Sequence, residues 1–145
     1  MNTFAKTILW GALCALANAA PKIVIQLPPA AADFNGDGAS DLAASASHRS
    51  WVNGQEIQNS GAVIVMYGSL ANGLTAAGSQ TWSQESPGIP GNAEAGDLFG
   101  QALAWGDFND DGKSDLAIGV PGEDNRTGVV HILYGSASGL TSAGT

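Results

Sequence analysis

Residues 33–43 read DFNGDGASDLA, and residues 107–117 read DFNDDGKSDLA, so the chain carries one oxygen-rich loop twice. In each copy, positions 1, 3, 5 and 9 are Asp or Asn, which offer hard oxygen ligands, and position 6 is a glycine that can adopt a positive φ. Such ligands favour calcium over zinc or copper. The sequence predicts two calcium sites, formed by Asp33, Asn35, Asp37, Ala39 and Asp41 and by Asp107, Asn109, Asp111, Lys113 and Asp115.

The alternative is that both loops are Asx-rich turns exposed to solvent. A turn needs two such residues, whereas each loop has four at the spacing of metal ligands, so the metal interpretation is favoured. Without a cation, the crowded carboxylates of each loop would repel one another, and we expect the loops to loosen in a chelator.

The residues after each loop distinguish these sites from an EF-hand. An EF-hand needs a bidentate Glu at position 12 and a helix on each side, but position 12 is Ala44 or Ile118. Short apolar runs follow the loops and are typical of strands. We therefore expect each loop to lie in a β-hairpin, where the cation joins two strands.

The repeat extends beyond the loops. Residues 62–69 (AVIVMYGS) match residues 129–136 (VVHILYGS), and residues 73–78 match residues 139–144. The loops begin 74 residues apart, at 33 and 107, but the first of these later segments begin 67 apart, at 62 and 129. The first copy therefore has about seven extra residues, which we assign to 48–54.

Residues 62–67 are apolar on both faces of a predicted strand. Val63, Val65 and Tyr67 point one way, while Ala62, Ile64 and Met66 point the other. A sheet with two apolar faces must be covered on both sides. Radially stacked propeller blades satisfy this requirement better than a sandwich with one wet face.

These features resemble the FG-GAP repeat of integrin α-subunits and of many secreted bacterial propeller proteins. Phe99-Gly100 stands for the "FG", residues 119–121 stand where the "GAP" falls, and residues 107–115 match the calcium hairpin of the family. The resemblance implies strands at 99–108, 114–120 and 128–134, and a structural calcium ion. The first repeat departs from it, because two prolines precede Asp33 and no Phe-Gly pair is present; residues 22–26 are its alternative innermost strand.

The predicted fold is all-β, with about two blades of an incomplete FG-GAP propeller. We expect a signal peptide at 1–19, a degenerate blade at 20–84, a linker at 85–95, and a second blade at 96–145 that lacks its outer strand. The outer strand of the first blade is predicted at 80–84. Propellers typically close with about four to eight blades. Two blades therefore indicate a truncated product, a piece of a longer propeller, or copies that assemble into a ring.

The N-terminal segment has the pattern of an export signal, with Lys6, an apolar run and a small-residue site at 17–19. The apolar run is short for a membrane span, so we expect no span after its removal and a secreted or cell-surface location. The only cysteine, Cys14, lies within this segment.

The net charge of -8 with five basic residues excludes a typical nucleic-acid surface. The expected partner is a protein or another extracellular ligand.

The sequence predicts no enzyme activity. The segment closest to a nucleophile elbow, residues 135–139, has Ala137 at the nucleophile position. His131 aligns with Ile64 in a strand and is interpreted as a blade-face residue, while His48 lies in the insertion. Trp51 is the best candidate for a binding aromatic, and Asn125 begins a glycosylation sequon.

The leading hypothesis for the function of the chain is a calcium-binding scaffold, adhesion or interaction module. The alternatives are an accessory propeller of a secreted hydrolase and a nonfunctional truncation product.

Overall fold

A computed structural model describes residues 31–46, 50–52 and 55–142. Eight strands and one short helical turn account for the regular structure of these residues, which confirms the all-β fold class. The strands are β1 (Leu42–Ala46), β2 (Ser50–Val52), β3 (Gln55–Ile57), β4 (Ala62–Met66), β5 (Gln80–Trp82), β6 (Ala102–Gly106), β7 (Asp115–Val120) and β8 (Val129–Leu133), with α1 (Glu123–Arg126) between the last two.

The strands form two antiparallel three-stranded sheets, as expected for partial propeller blades. The first blade has the order β1-β4-β5, and the second has the order β6-β7-β8. The predicted strands at 114–120 and 128–134 coincide with β7 and β8 to within a residue at each end. The strand predicted at 99–108 is longer than β6. Phe99 does not belong to β6, because it forms a parallel bridge with Gly61 of the first blade.

The seven-residue insertion also has a defined place. The carboxylate of Asp41 bonds to Gly68 across 27 residues, whereas the equivalent pair, Asp115 and Gly135, spans only 20. Strands β2 and β3 pair as a small antiparallel hairpin in the segment that joins β1 to β4, which is the longer of the two equivalent connections. The predicted bounds of 48–54 stop short of β3, and strands were not predicted for this segment.

The core lies between the two blades. Alternate residues of β4 and β7 face each other across this space, which follows from the two-residue period of a strand. Val63 and Val65 of the first blade and Leu116, Ile118 and Val120 of the second are all 0% exposed. The predicted apolar faces of β4 are confirmed on this side, whereas Ile64 on the opposite side is 39% exposed.

The short turn α1 at the margin of the second blade has an unusual backbone conformation. In α1, Asp124 and Asn125 have left-handed dihedral angles, with φ of 51° and 57°. None of the helices among the described residues is long and apolar enough to cross a membrane.

The predicted outer strand at 80–84 is shorter in the structure. Strand β5 ends at Trp82, and Gln84 is buried beside the side chain of Glu123.

Several predictions fall outside the described residues. These are the signal segment at 1–19, the alternative strand at 22–26, and His48 with the remainder of the insertion loop. The side chain of Trp51 belongs to the same group, since only the backbone of β2 is described.

Candidate functional site

The two oxygen-rich loops occupy equivalent places in the two blades. The second loop joins β6, which ends at Gly106, to β7, which begins at Asp115, and these strands pair antiparallel. The predicted location in a β-hairpin is therefore confirmed for the second loop. The first loop leads into β1 in the same way, and the backbone N–H of Asp41 donates to the carbonyl of Ala32 at 2.6 Å.

Within the second loop, acidic and amide side chains fold the backbone around themselves. Asp107 accepts hydrogen bonds from the backbone N–H groups of Asp111 at 3.0 Å and Gly112 at 2.8 Å. Asn109 Oδ1 accepts from Asp111 N at 3.1 Å, and Asp111 Oδ1 accepts from Lys113 N at 2.9 Å. The side chains at positions 1, 3 and 5 therefore all fix the turn.

The first loop repeats this arrangement residue for residue. Asp33 accepts from the N–H groups of Asp37 at 3.1 Å and Gly38 at 3.0 Å, and Asp37 accepts from Ala39 N at 2.8 Å. Gly36, the residue at position 4, has a φ of 72°, and its counterpart Asp110 has a φ of 60°. The two loops thus share one backbone conformation despite the difference at this position.

The ninth residue of each loop has a different role, because its carboxylate is buried. Asp115 is 0% exposed, and its two oxygens accept from Phe108 N and Gly135 N, both at 2.8 Å. Asp41 does the same with Phe34 N at 2.7 Å and Gly68 N at 2.8 Å. Each of these carboxylates therefore joins its loop to the segment that follows β4 in the first blade or β8 in the second.

Burial and hydrogen bonding shift the pKa of two of these acids in opposite directions. Burial raises the pKa of Asp41 above its usual value, and the two backbone N–H donors offset part of that increase. The N–H of Lys113 lowers the pKa of the exposed Asp111 carboxyl, with contributions from the Asn109 amide and the Lys113 ammonium. The ammonium Nζ lies 3.6 Å from Asp111 Oδ2.

The side chains of both loops carry oxygen donors of the kind that calcium prefers. A carboxylate has about four lone-pair sites. In the described hydrogen bonds Asp37 uses two of them, one with Ala39 N and one with the amide of Asn35, and Asp41 also uses two. Hard oxygen acceptors therefore remain available to a cation. In the loop conformation seen here, no three acidic, histidine or cysteine side chains among the described residues are grouped closely enough to hold a metal ion.

The two loops also contact each other. Ser114 Oγ accepts from Asp33 N at 3.1 Å, and Ser114 N donates to the carbonyl of Asp33 at 2.9 Å. Ser114 was not predicted from the sequence, nor were Gly68 and Gly135, whose N–H groups donate to the carboxylate at position 9. The available signal was the recurrence of Ser at position 8 and of Tyr-Gly-Ser after β4 and β8.

The other candidate residues lie apart from the loops. His131 is 8% exposed on the face of β8 toward the first blade, as expected for a blade-face residue, and its ring centroid lies 5.8 Å from that of Phe99. Trp82 packs against the core. Trp105 remains 46% exposed. Asn125 lies on the exposed turn α1.

Comparison with known proteins identifies relatives of both blades. The FG-GAP repeat model matches residues 29–66 and 99–133, which together make up half of the chain and include both loops. The chain is 36% identical over 118 residues to phosphatidylinositol-glycan-specific phospholipase D of Rattus norvegicus, a match that covers 79% of this chain and 13% of that protein.

Two integrin subunits are also similar. Integrin alpha-4 of Xenopus laevis is 33% identical over 112 residues, which cover 77% of this chain and 10% of the integrin. Integrin alpha-M of Mus musculus is 48% identical over 46 residues, which cover 31% of this chain and 4% of the integrin. The chain thus spans about a tenth of the length of the phospholipase and of integrin alpha-4, and less of integrin alpha-M.

Proposed function

This chain belongs to the FG-GAP repeat family, and we propose that it is a secreted, calcium-braced propeller region that serves as a scaffold for protein interaction or adhesion. The relation to integrin alpha subunits supports the interaction role. The proposed location outside the cell or on its surface follows from the export pattern at residues 1–19.

The observation that carries this proposal is the loop that occurs twice in one conformation. Both copies keep Asp or Asn at positions 1, 3, 5 and 9, although position 4 differs and position 7 changes from Ala39 to Lys113. Four oxygen-bearing side chains kept at equivalent places in both blades match the requirements of a hard cation. The sequon at Asn125 is a further candidate for modification in a secreted protein.

Calcium bound by the predicted ligands would supply structural stability. It would neutralise the carboxylates of Asp33, Asp37, Asp107 and Asp111. Asp41 and Asp115, which are also among the predicted ligands, would keep their hydrogen bonds to the residues that follow β4 and β8. The chain's own residues then keep each hairpin rigid, so that the loops at the ends of the blades stay in place for a partner. The β2–β3 hairpin, which occurs in the first blade alone, is the candidate for a partner-specific contact.

Thermal unfolding at increasing calcium concentration tests this role. A site filled at 100 times its dissociation constant adds about 2.7 kcal/mol to the free energy of unfolding, so the melting temperature should rise steeply with calcium. We expect Asp37→Ala or Asp111→Ala to remove roughly half of this increase. Because both changes also remove a turn hydrogen bond, each variant is compared with itself in chelator.

The matched control is Asp110→Gly. It removes an exposed acid from the second loop but restores the residue found at the same position of the first, Gly36, which also has a positive φ. We expect this variant to keep the full calcium response. A melting temperature that does not depend on calcium in the wild-type chain would overturn the proposal.

The second candidate is an accessory propeller region of a secreted enzyme. The similarity to phosphatidylinositol-glycan-specific phospholipase D favours it, since FG-GAP repeats are non-catalytic modules and that relative is an enzyme. A catalytic domain encoded in the same reading frame would support this candidate, whereas further blades alone would support the first. Failure to obtain any folded soluble chain would instead support a nonfunctional truncation product.

A further inference from the structure

Equivalent positions of the two blades differ in burial in a systematic way. Val63 of β4 is 0% exposed, but its counterpart in β8 of the second blade, Val130, is 65% exposed. Phe34 at position 2 of the first loop is 0% exposed, whereas Phe108 at position 2 of the second loop is 51% exposed. The face of the first blade that packs against the second blade is therefore covered, whereas the equivalent face of the second blade is exposed.

The opposite side shows the reverse pattern. Leu116 of β7 is 0% exposed, but its counterpart in β1, Leu42, is 43% exposed. His131 of β8 is 8% exposed, while its counterpart in β4, Ile64, is 39% exposed. The face of the second blade that packs against the first blade is therefore covered, whereas the equivalent face of the first blade is exposed.

Two surfaces follow from the strand registers. The open face of the first blade consists of Leu42, Ala44, Ile64 and Met66, which lie on one side of β1 and β4. The open face of the second blade consists of Ala102, Ala104, Ala117, Gly119, Val130 and Ile132, which lie on one side of β6, β7 and β8. Neither face carries a charged side chain. Apolar faces of this kind on both sides of a soluble unit indicate contact surfaces.

These open faces correspond to the two halves of the interface that is already closed inside the molecule. We propose that a second copy of this chain docks head to tail, with the open face of its first blade on the open face of the second blade. The contact repeats the internal one, so Val130 and Ile132 take the roles of Val63 and Val65. Leu42 and Met66 of the next copy take the roles of Leu116 and Leu133.

The second blade also keeps the close-approach site that such a contact uses. In the internal interface, Gly61 has a φ of 83°, and a Cβ there would lie 2.3 Å from the backbone nitrogen of Phe99. Its counterpart Gly128 has a φ of 75°, and a Cβ there would meet nothing closer than 3.4 Å. A groove lined by Gly119, Val120, Pro121, Gly128 and Val130 marks this place on the second blade.

The loops provide polar contacts that would set the register. Inside the molecule, Asp33 of the first loop exchanges two hydrogen bonds with Ser114 of the second. The equivalent pair between copies is Asp107 of one chain and Ser40 of the next. Because the two surfaces differ, the contact is heterologous, and it closes into a ring when the rotation fits. Propellers have about four to eight blades, so a closed ring needs about two to four copies.

Complementing variants test this arrangement in the full chain with calcium present. Val130→Asp places a charge on the open face of the second blade, and Ile64→Asp places one on the open face of the first. We expect the wild-type chain to have the mass of two to four chains by sedimentation or light scattering, and each variant alone to have the mass of one. An equimolar mixture should form a heterodimer and nothing larger, because each variant retains one intact face and the heterodimer has none left to pair.

Two controls distinguish this contact from nonspecific association and from misfolding. Leu70→Asp changes a leucine that is 84% exposed but lies on neither open face, and it should keep the wild-type mass. Near-ultraviolet circular dichroism verifies that each variant keeps its packing around the tryptophans. If Val130→Asp or Ile64→Asp does not fold, Val130→Thr or Ile64→Thr takes its place. A wild-type mass of one chain, variants that keep the wild-type mass, or a mixture that stays monomeric would overturn the proposal.

Discussion

The carboxylate of Asp115 holds two parts of the second blade together through hydrogen bonds that need no cation. It is fully buried, and each oxygen accepts one backbone N–H, from Phe108 and from Gly135. This role explains why the ninth position of the loop is Asp in both copies, whether or not the other oxygens hold a metal. An amide at this position offers one acceptor oxygen where the carboxylate offers two.

Asp115→Asn is therefore expected to destabilise the chain by about 1–3 kcal/mol, because one buried N–H loses its acceptor and faces an NH₂ group. Urea unfolding in chelator measures this cost without the contribution of calcium. The exposed Asp110→Asn is the matched control and should change the free energy of unfolding by less than about 0.5 kcal/mol. Equal effects of the two variants would show that the buried hydrogen bonds are not the cause.

His131 makes stability depend on pH. Burial lowers the pKa of His131 below its usual value, and its Nε2 atom is buried and has no hydrogen-bond partner among the described residues. The neutral ring is therefore favoured in the folded state. The stability is fully present above the ordinary histidine pKa of about 6.5, and it declines as the pH falls from there toward the lower folded value.

His131→Ile, which introduces the residue found at the equivalent position 64, is expected to remove this decline. The free energy of unfolding from urea titrations at pH 7.5 and pH 5.5 provides the measurement, and the difference between wild type and variant isolates the histidine. Acids such as Asp41, whose pKa burial raises, act with the opposite sign and cancel in this difference. A variant with the same pH dependence as the wild type would exclude His131 as the source.

At the scale of elements, the strands could be predicted where the sequence repeats itself. β4, β7 and β8 follow from matched apolar segments, and the hairpin position of the second loop follows from its spacing. The β2–β3 hairpin could not be predicted, because three-residue strands with no counterpart in the second copy give no periodic signal. The burial of Phe34 and the exposure of Phe108 could not be predicted either, since they depend on which blade lies beside each loop.

The contact between Gly61 and Phe99 connects the two blades through backbone atoms. Gly61→Ala is expected to cost about 3 kcal/mol or more, because the methyl group would overlap the Phe99 backbone and the residue would keep a positive φ. Gly73→Ala is the matched control, since Gly73 has a φ of 66° but nothing within 4 Å of the added methyl group, and it should cost about 1 kcal/mol. Chemical unfolding of both variants compares the two costs. If they are the same, the close approach contributes nothing beyond backbone strain.

At the scale of the whole molecule, the core is an interface between two repeats and not the interior of one. The buried residues Val63, Val65, Leu116 and Ile118 come from facing blades, so neither blade covers its own apolar side. Stability then depends on the neighbouring blade and on the rigidity of each hairpin. This dependence links the two proposals: calcium would fix the hairpins within a blade, and a second copy would cover the faces that the internal interface leaves open.

A calorimetric titration of the metal-free chain with calcium tests directly whether the two loops bind the ion. We expect two sites per chain, one site in Asp37→Ala, one site in Asp111→Ala, and none when both changes are combined. Asp110→Gly should keep both sites. Absence of binding heat over a range of temperatures in a folded wild-type chain, or two sites that survive both substitutions, would contradict the assignment of calcium to these loops.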